Sequence, residues 1–252
     1  MDIQNVVALV TGAGSGLGLA TCQALVKAGA KVMAVDVDEE RLVNSVLPLG
    51  PNVRIQRVDV SNDAEVKAAV DFAVQAFGSL QVAVNCAGIL GPCKTLSKGE
   101  LFPLSLWNQV IAVNLTGTFN VIRHASLAMS RNTANDDGER GVIVNTSSGA
   151  AWQGQMGQAA YSATKAGVMG LTLPVSRDLA QHGVRVVSIA PGLFETGMSA
   201  GMPPKVSQGL IDHSILFPHR MGRPQEFASL VQHIVENAYF NATTISLDAG
   251  TR

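Results

Sequence analysis

Two side chains in the middle of the chain have the types and spacing of an acid/base pair. Tyr161 and Lys165 are four residues apart, so on a helix they lie on one face with the ammonium near the phenol. A nearby cation favours the phenolate and lowers a tyrosine pKa from its ordinary value of about 10. The pair therefore predicts a tyrosine that exchanges protons near neutral pH, although many such tyrosines only pack their rings.

A serine at the end of a predicted strand supports the chemical interpretation. Residues 141–146 form a short apolar run typical of a buried strand, and Ser148 follows it closely. Ligands of open α/β sheets bind at the carboxyl ends of strands, and the helix that carries Tyr161 begins soon afterwards. Gln155, between Ser148 and Tyr161, is a candidate contact to a polar substrate group, with a surface loop position as its alternative.

A glycine-rich turn near the N-terminus predicts a nucleotide site. Residues 6–10 read as a buried strand that runs into Gly12, Gly16 and Gly18, and helical periodicity follows as far as Gly29. Glycines let the backbone approach a pyrophosphate, whose charge is stabilised by the free N–H groups at a helix N-terminus. A tight turn between strand and helix also needs glycine for steric reasons, so this motif is a weak indication by itself.

The acidic residue after the second predicted strand indicates which dinucleotide binds. Asp36 follows residues 31–35, where a carboxylate accepts both ribose hydroxyls of NAD and repels the 2′-phosphate of NADP. Neither Ser15 nor Val37 is basic, so no cation stands at those positions to receive that phosphate. We therefore expect NAD. The alternative is that Asp36 caps a helix beginning at Asp38.

Predicted strands and helices alternate along the whole chain. The alternation predicts an α/β fold, a single domain over residues 1–252 with a doubly wound (Rossmann) parallel sheet of about seven strands and helices on both faces. Residues 193–218 are apolar and irregular, which predicts a lid and substrate wall or, alternatively, a buried oligomer contact. The polar segment 131–140 is predicted to be a surface connection before the next strand and is assigned no chemistry.

The composition excludes several classes of function. The 252 residues include 18 basic and 19 acidic side chains, a net charge of −1, which indicates no nucleic-acid or anionic-membrane partner. Cys22, Cys86 and Cys93 lack metal-type spacing, so we expect reduced thiols and no metal site. With no signal-peptide pattern and no membrane-spanning run, we expect a cytoplasmic protein that acts on a small molecule.

In this order, the motifs resemble those of the short-chain dehydrogenase/reductase family. The likeness covers nearly the whole chain and is carried by the glycine turn, Asp59, Asn85-x-Ala87-Gly88, Asn114, Ser148, Tyr161-x-x-x-Lys165 and Pro191-Gly192. The resemblance implies an NAD-dependent oxidoreductase in which Tyr161 exchanges a proton with a secondary alcohol and Ser148 holds the substrate oxygen. It also implies that Lys165 lowers the Tyr161 pKa and binds the nicotinamide ribose, that Asn114 holds a water, and that the protein is a homotetramer. Cys86 departs from the family pattern, in which Asn or His is commoner.

Segments 117–123, 154–161 and 190–194 resemble a narrower group, the type 2 3-hydroxyacyl-CoA dehydrogenases, also called type 10 17β-hydroxysteroid dehydrogenases. A 3-hydroxyacyl-CoA is thus the expected substrate. Hydroxysteroids or other secondary alcohols are the alternative, and a non-catalytic NAD-binding subunit is a remote one. The expected catalytic residues are Asn114, Ser148, Tyr161 and Lys165, and the expected substrate contacts are Ser148, Gln155 and Tyr161. The expected cofactor contacts are Gly12, Ser15, Gly16, Leu17, Gly18, Asp36, Asp59, Val60, Cys86, Ala87, Gly88, Tyr161, Lys165, Pro191, Gly192, Phe194 and Thr196.

Overall fold

The architecture is a seven-stranded parallel sheet with helices on both faces. A computed structural model describes residues 1–201 and 204–251. Neighbouring strands are parallel throughout the sheet, and their order is β3-β2-β1-β4-β7-β8-β9. The strands are β1 (Val7–Thr11), β2 (Lys31–Asp36), β3 (Val53–Arg57), β4 (Val82–Asn85), β7 (Gly141–Thr146), β8 (Val184–Pro191) and β9 (Thr243–Leu247), and a separate hairpin contains β5 (Leu96–Ser97) and β6 (Glu100–Leu101).

Ten α-helices connect or flank the strands in the described parts of the chain. Helix α3 shows how local sequence sets a boundary, because the Asn62 side chain accepts hydrogen bonds from the N–H groups of Ala64 and Glu65 and so caps the helix. The helices are α1 (Gly16–Lys27), α2 (Glu39–Arg41), α3 (Asp63–Phe77), α4 (Leu104–Ile111), α5 (Thr118–Met129), α6 (Ala150–Gln153), α7 (Ala159–Ala180), α8 (Gly197–Ala200), α9 (Pro204–Ser214) and α10 (Pro224–Glu236).

The sheet separates two hydrophobic cores. One core packs the sheet against α1 and α10 through residues such as Leu25 and Phe227, and the other packs it against α3 and α5 through Val70 and Met129. Because both faces are covered, the strands are apolar on both sides and read as continuous hydrophobic runs. The predicted doubly wound fold is confirmed.

The strand order reverses between β1 and β4, and the candidate site lies at this switch point. A crevice opens there at the carboxyl ends of the strands. Thr11 pairs in register with Asn85, and Asn85 pairs with Asn145, so the segments after β1, β4 and β7 emerge side by side. Residues far apart in sequence thus meet at one edge of the sheet.

Two predicted segments differ from the structure. Residues 193–218 are not irregular, because they contain α8 and α9; Met202 and Pro203 of this segment lie outside the described residues. The polar segment 131–140 is not all surface, since Glu139 is buried and forms an ion pair with buried Arg185 at 2.6 Å. The backbone carbonyls of Ile234 and Phe240 accept further hydrogen bonds from Arg185, so this pair ties three elements together.

Candidate active site

Tyr161 and Lys165 lie on the first turns of α7, facing the carboxyl end of β7. Tyr161 is 9% exposed and Lys165 is 4% exposed. The lysine Nζ lies 5.6 Å from the centre of the tyrosine ring and donates a hydrogen bond of 2.8 Å to the Thr146 carbonyl. The Ser147 hydroxyl donates to the Lys165 carbonyl at 2.8 Å, which fixes the helix against the strand end. The predicted one-face arrangement of the pair is present.

Burial dominates the protonation of this pair. It raises the Tyr161 pKa above its ordinary value, and the hydrogen bond with Ser148 opposes that rise. Burial also lowers the Lys165 pKa to about 8, with the nearby Cys86 thiol acting in the opposite direction. The Lys165 ammonium is hydrogen-bonded to the Thr146 carbonyl, and burial, not the lysine, sets the direction of the Tyr161 pKa shift. That Lys165 lowers the Tyr161 pKa stays a prediction.

Asn114 lies beside the pair in a π-helical segment, Ala112–Gly117, that joins α4 to α5. Its amide oxygen accepts from the Ile89 N–H at 2.8 Å, and its amide nitrogen donates to the Ile89 carbonyl at 2.9 Å. A Cβ added at Gly88 would lie 3.3 Å from the Asn114 Oδ1 and 3.6 Å from the Lys165 Nζ. Asn114 thus anchors the loop after β4, and Gly88 leaves a small space between the amide and the ammonium.

The glycine turn has the shape needed to hold a pyrophosphate. Gly12 has a φ of +63°, and a Cβ there would lie 2.8 Å from the Ala87 nitrogen. A Cβ on Gly18 would lie 2.2 Å from the Gly12 carbonyl oxygen. The Ser15 side chain does not cap α1, which leaves the first-turn N–H groups for an anion. A dinucleotide therefore fits this turn.

Asp36 lies at the far end of the same crevice. Its carboxylate accepts hydrogen bonds from the N–H groups of Gly14 at 2.9 Å and Asp38 at 3.1 Å. The helix cap is Asp38, which accepts from the Arg41 N–H, so the capping alternative for Asp36 is wrong. Asp59 accepts from the N–H and hydroxyl of Ser61, so it holds its turn while it lines the crevice.

The crevice has a volume of about 550 Å³ and joins the tyrosine to the glycine turn. Every expected cofactor residue lines it, and so does Ser148. Gln155 is exposed and is not among the lining residues, whereas Gln158, whose side chain accepts from the Gln155 N–H at 2.9 Å, does line the crevice. Gln158 precedes Tyr161 by three residues, so helical spacing was the signal that could have identified it. The lining residues that sequence reasoning missed include Arg41, Ile89, Gln109, Val113, Thr146 and Gln158.

A glycine turn at the switch point of a doubly wound sheet, joined by one crevice to a buried tyrosine and lysine and a half-buried serine, defines a dinucleotide-dependent oxidoreductase. Residues 6–206 match the short chain dehydrogenase family, and the chain belongs to this family. The cofactor is accordingly a nicotinamide dinucleotide.

Similar proteins extend over the full length of the chain. It is 45% identical over 253 residues to 3-hydroxyacyl-CoA dehydrogenase type-2 of Bos taurus, with 100% of this chain and 97% of that protein covered. It is 47% identical over 252 residues to the protein of the same name from Drosophila melanogaster, with 99% and 98% covered. The crystal structure of 3-hydroxyacyl-CoA dehydrogenase type-2 from Mycobacterium avium matches with a TM-score of 0.93 at 33% identity, covering 98% of this chain and 96% of that one. None of the described helices is long and apolar enough to span a membrane.

Proposed function

We propose that this protein is an NAD-dependent 3-hydroxyacyl-CoA dehydrogenase. The observation that carries the proposal is the 45 to 47% identity, over essentially the whole length of each chain, to proteins of that name. Buried Tyr161 and Lys165 and half-buried Ser148, at one end of the crevice, supply the groups that oxidation of a secondary alcohol needs.

Asp36 supports NAD rather than NADP. Its carboxylate lines the crevice and is oriented by two backbone N–H groups, so it presents a fixed negative charge where a ribose would bind. A carboxylate there accepts hydrogen bonds from ribose hydroxyls and repels a 2′-phosphate. Val37, the next residue, is exposed and carries no charge that could offset this repulsion.

The catalytic residues divide the work of proton transfer. Tyr161 takes the proton from the substrate hydroxyl through its phenol oxygen, and Ser148, which shares a hydrogen bond with that phenol, holds the substrate oxygen. A bound oxidised nicotinamide would supply the hydride acceptor and a positive charge. Lys165 would hold the nicotinamide ribose, and the space that Gly88 leaves beside the Asn114 Oδ1 and the Lys165 Nζ would admit a water for proton exchange.

The substrate side of the crevice is apolar. Leu193, Phe194 and Met198 line it from the segment that we propose as a lid, residues 193–218. Leu216 and Phe217, at the end of that segment, are exposed. An acyl chain matches these surfaces. They also accommodate other apolar secondary alcohols, so oxidation of hydroxysteroids is the second candidate, and the role of Gln155 as a substrate contact stays a prediction.

We further propose a cytoplasmic homotetramer. Exposed apolar side chains on α4, α5 and α7 support assembly through these helices, namely Leu104, Phe119, Leu127 and Leu173. Burial of such side chains against a second copy would remove them from water. Light scattering on the purified protein should give four times the chain mass of 26.3 kDa; a monomer mass contradicts this assembly.

The proposed reaction is tested by the appearance of NADH with purified protein and NAD. 3-Hydroxybutyryl-CoA and a longer 3-hydroxyacyl-CoA are compared with hydroxysteroids and simple secondary alcohols. Preference for the CoA thioesters supports the proposal. Turnover of steroids or simple alcohols alone would reject a 3-hydroxyacyl-CoA as the substrate and keep the oxidation of a secondary alcohol. Tyr161→Phe should lose about a hundred- to ten-thousandfold in turnover while still binding NADH. Tyr239→Phe is the matched control, because Tyr239 is fully exposed; equal activity of both variants rejects Tyr161 as the acid/base.

A further inference from the structure

We propose that Arg41 and Asp38 are a second determinant of cofactor selection, beside Asp36. The proposal rests on the NAD-binding role of the crevice given above. Asp36 rejects the 2′-phosphate of NADP, whereas the Arg41 guanidinium is placed to bind that phosphate and is held by an ion pair with Asp38. The preference for NAD is then a balance between these charges rather than the absence of a phosphate ligand.

Arg41 lies at the ribose end of the crevice although it is five residues beyond Asp36. A Cβ added at Gly14 would lie 2.9 Å from the Arg41 Cβ and 3.1 Å from the Asp36 Oδ2, so both side chains border one small space. Of the described residues that line the crevice, only Arg41 and Lys165 are basic. Lys165 is buried at the catalytic end, whereas the Arg41 side chain is 61% exposed. Arg41 is therefore the cation that a 2′-phosphate would meet.

Asp38 orients Arg41 through two contacts. Its Oδ1 accepts from the Arg41 backbone N–H at 3.1 Å, and its Oδ2 lies 3.0 Å from the Arg41 Nε. The pair is exposed, and exposed ion pairs are weak in water. A guanidinium also has five N–H donors, of which Nε is one, so the others remain suited to bidentate contact with a phosphate. Asp38 thus positions the guanidinium while occupying only one of its side-chain N–H donors.

This arrangement predicts what happens when the Asp36 charge is removed. Asp36→Asn keeps an oxygen that can accept from the Gly14 N–H but no longer repels the phosphate. Because Arg41 is already in place, the variant should gain affinity for NADPH by about ten- to a hundredfold, the usual size of one charge-assisted hydrogen bond. Addition of Asp38→Asn should increase the gain further, since the guanidinium is then released to the phosphate.

The test measures the binding of NADH and of NADPH to the purified full chain. Binding is detected from the change in dinucleotide fluorescence, with no substrate present. Proteins to compare are the wild type, Asp36→Asn, Asp36→Asn with Asp38→Asn, and Asp36→Asn with Arg41→Ala or Arg41→Lys. The gain for NADPH should disappear with Arg41→Ala, return in part with Arg41→Lys, and weaken as salt is raised because charges are screened. The ratio of the two dissociation constants separates this role from a general loss of structure.

Lys67→Ala in the Asp36→Asn background is the matched control. Lys67 is also 61% exposed and paired with an aspartate within its helix, but it lies on α3 outside the crevice. An NADPH affinity that is unaffected by Arg41→Ala, or lowered equally by Lys67→Ala, overturns the inference. Failure of the wild type to bind NADH at all instead rejects the proposed function, and with it the premise of this inference.

Discussion

Replacement of Lys165 with methionine should abolish turnover and yet stabilise the protein near pH 7. The lysine is 4% exposed, and burial lowers its pKa from the ordinary 10.5 to about 8. At about 1.36 kcal/mol per pKa unit, keeping the ammonium charged in the folded state costs about 3 kcal/mol. The variant avoids this cost but also loses the hydrogen bond from Lys165 to the Thr146 carbonyl, which destabilises it by about 1 kcal/mol. The net gain of about 2 kcal/mol corresponds to a rise in Tm of about 4 to 8 °C for a domain of this size.

The gain should depend on pH in a defined direction. Between pH 8 and 10.5 the unfolded chain binds more protons at Lys165 than the folded protein does, so wild-type stability rises with pH. The cost of the buried charge is therefore complete below pH 8 and is lost as pH rises towards 10.5. The stability advantage of Lys165→Met should shrink accordingly.

Thermal unfolding followed by circular dichroism, at about pH 7 and about pH 9.5, measures both effects. Lys67→Met, an exposed lysine with no burial cost, is the control and should leave the Tm nearly unchanged. A Lys165→Met protein that melts below the wild type at pH 7, or whose advantage grows with pH, would refute the reasoning. Either result would mean that the contact with Thr146 outweighs desolvation of the ammonium.

Two further predictions concern packing. Gly18→Ala should abolish dinucleotide binding, because the added Cβ would lie 2.2 Å from the Gly12 carbonyl oxygen. Gly170→Ala on α7 has no atom within 4 Å of the added Cβ, so it should bind normally and gain about 0.4 to 1 kcal/mol in the free energy of unfolding. Fluorescence titration and thermal melts compare the two variants, and equal binding by both contradicts the steric role of Gly18. Arg185→Met should cost about 1 to 3 kcal/mol in denaturant unfolding, because it removes the hydrogen bonds to the Ile234 and Phe240 carbonyls and leaves buried Glu139 with only the Met1 ammonium, at 3.2 Å, among the cations of the described residues. A loss below about 0.5 kcal/mol would show that Arg185 does not hold these segments together.

Much of the fold follows from local sequence. Strand β7 begins and ends at the predicted residues, because a strand buried on both faces is a continuous apolar run. Helix α3 begins after Asn62 because its side chain satisfies N–H groups of the first turn. The two-residue strands of the β5–β6 hairpin were not predicted, since such short strands leave no periodicity to detect.

Site residues within one turn or one helix were also accessible from the sequence. The spacing of Tyr161 and Lys165 places them on one face wherever α7 packs, and the glycine turn has its shape for local steric reasons. That Gln158 lines the crevice while Gln155 does not was not accessible, because the path of the loop before α7 is not encoded in side-chain spacing. Loop paths depend on what the loop packs against, and here the Cys93 N–H donates to the Gly157 carbonyl from a distant segment.

The resemblance to the family, the order of strands and helices along the chain, and the candidate pair Tyr161 and Lys165 could all be read from the sequence, because motifs and apolar runs depend on residues close together in the chain. Tertiary structure decided which charges meet and how they titrate. It brings Arg41 to the ribose end beside Asp36, buries Glu139 with Arg185, and surrounds Tyr161 and Lys165 with enough protein to raise one pKa and lower the other. Desolvation and the distance between charges depend on how the folded chain packs, so they cannot be read from the spacing of residues along the sequence.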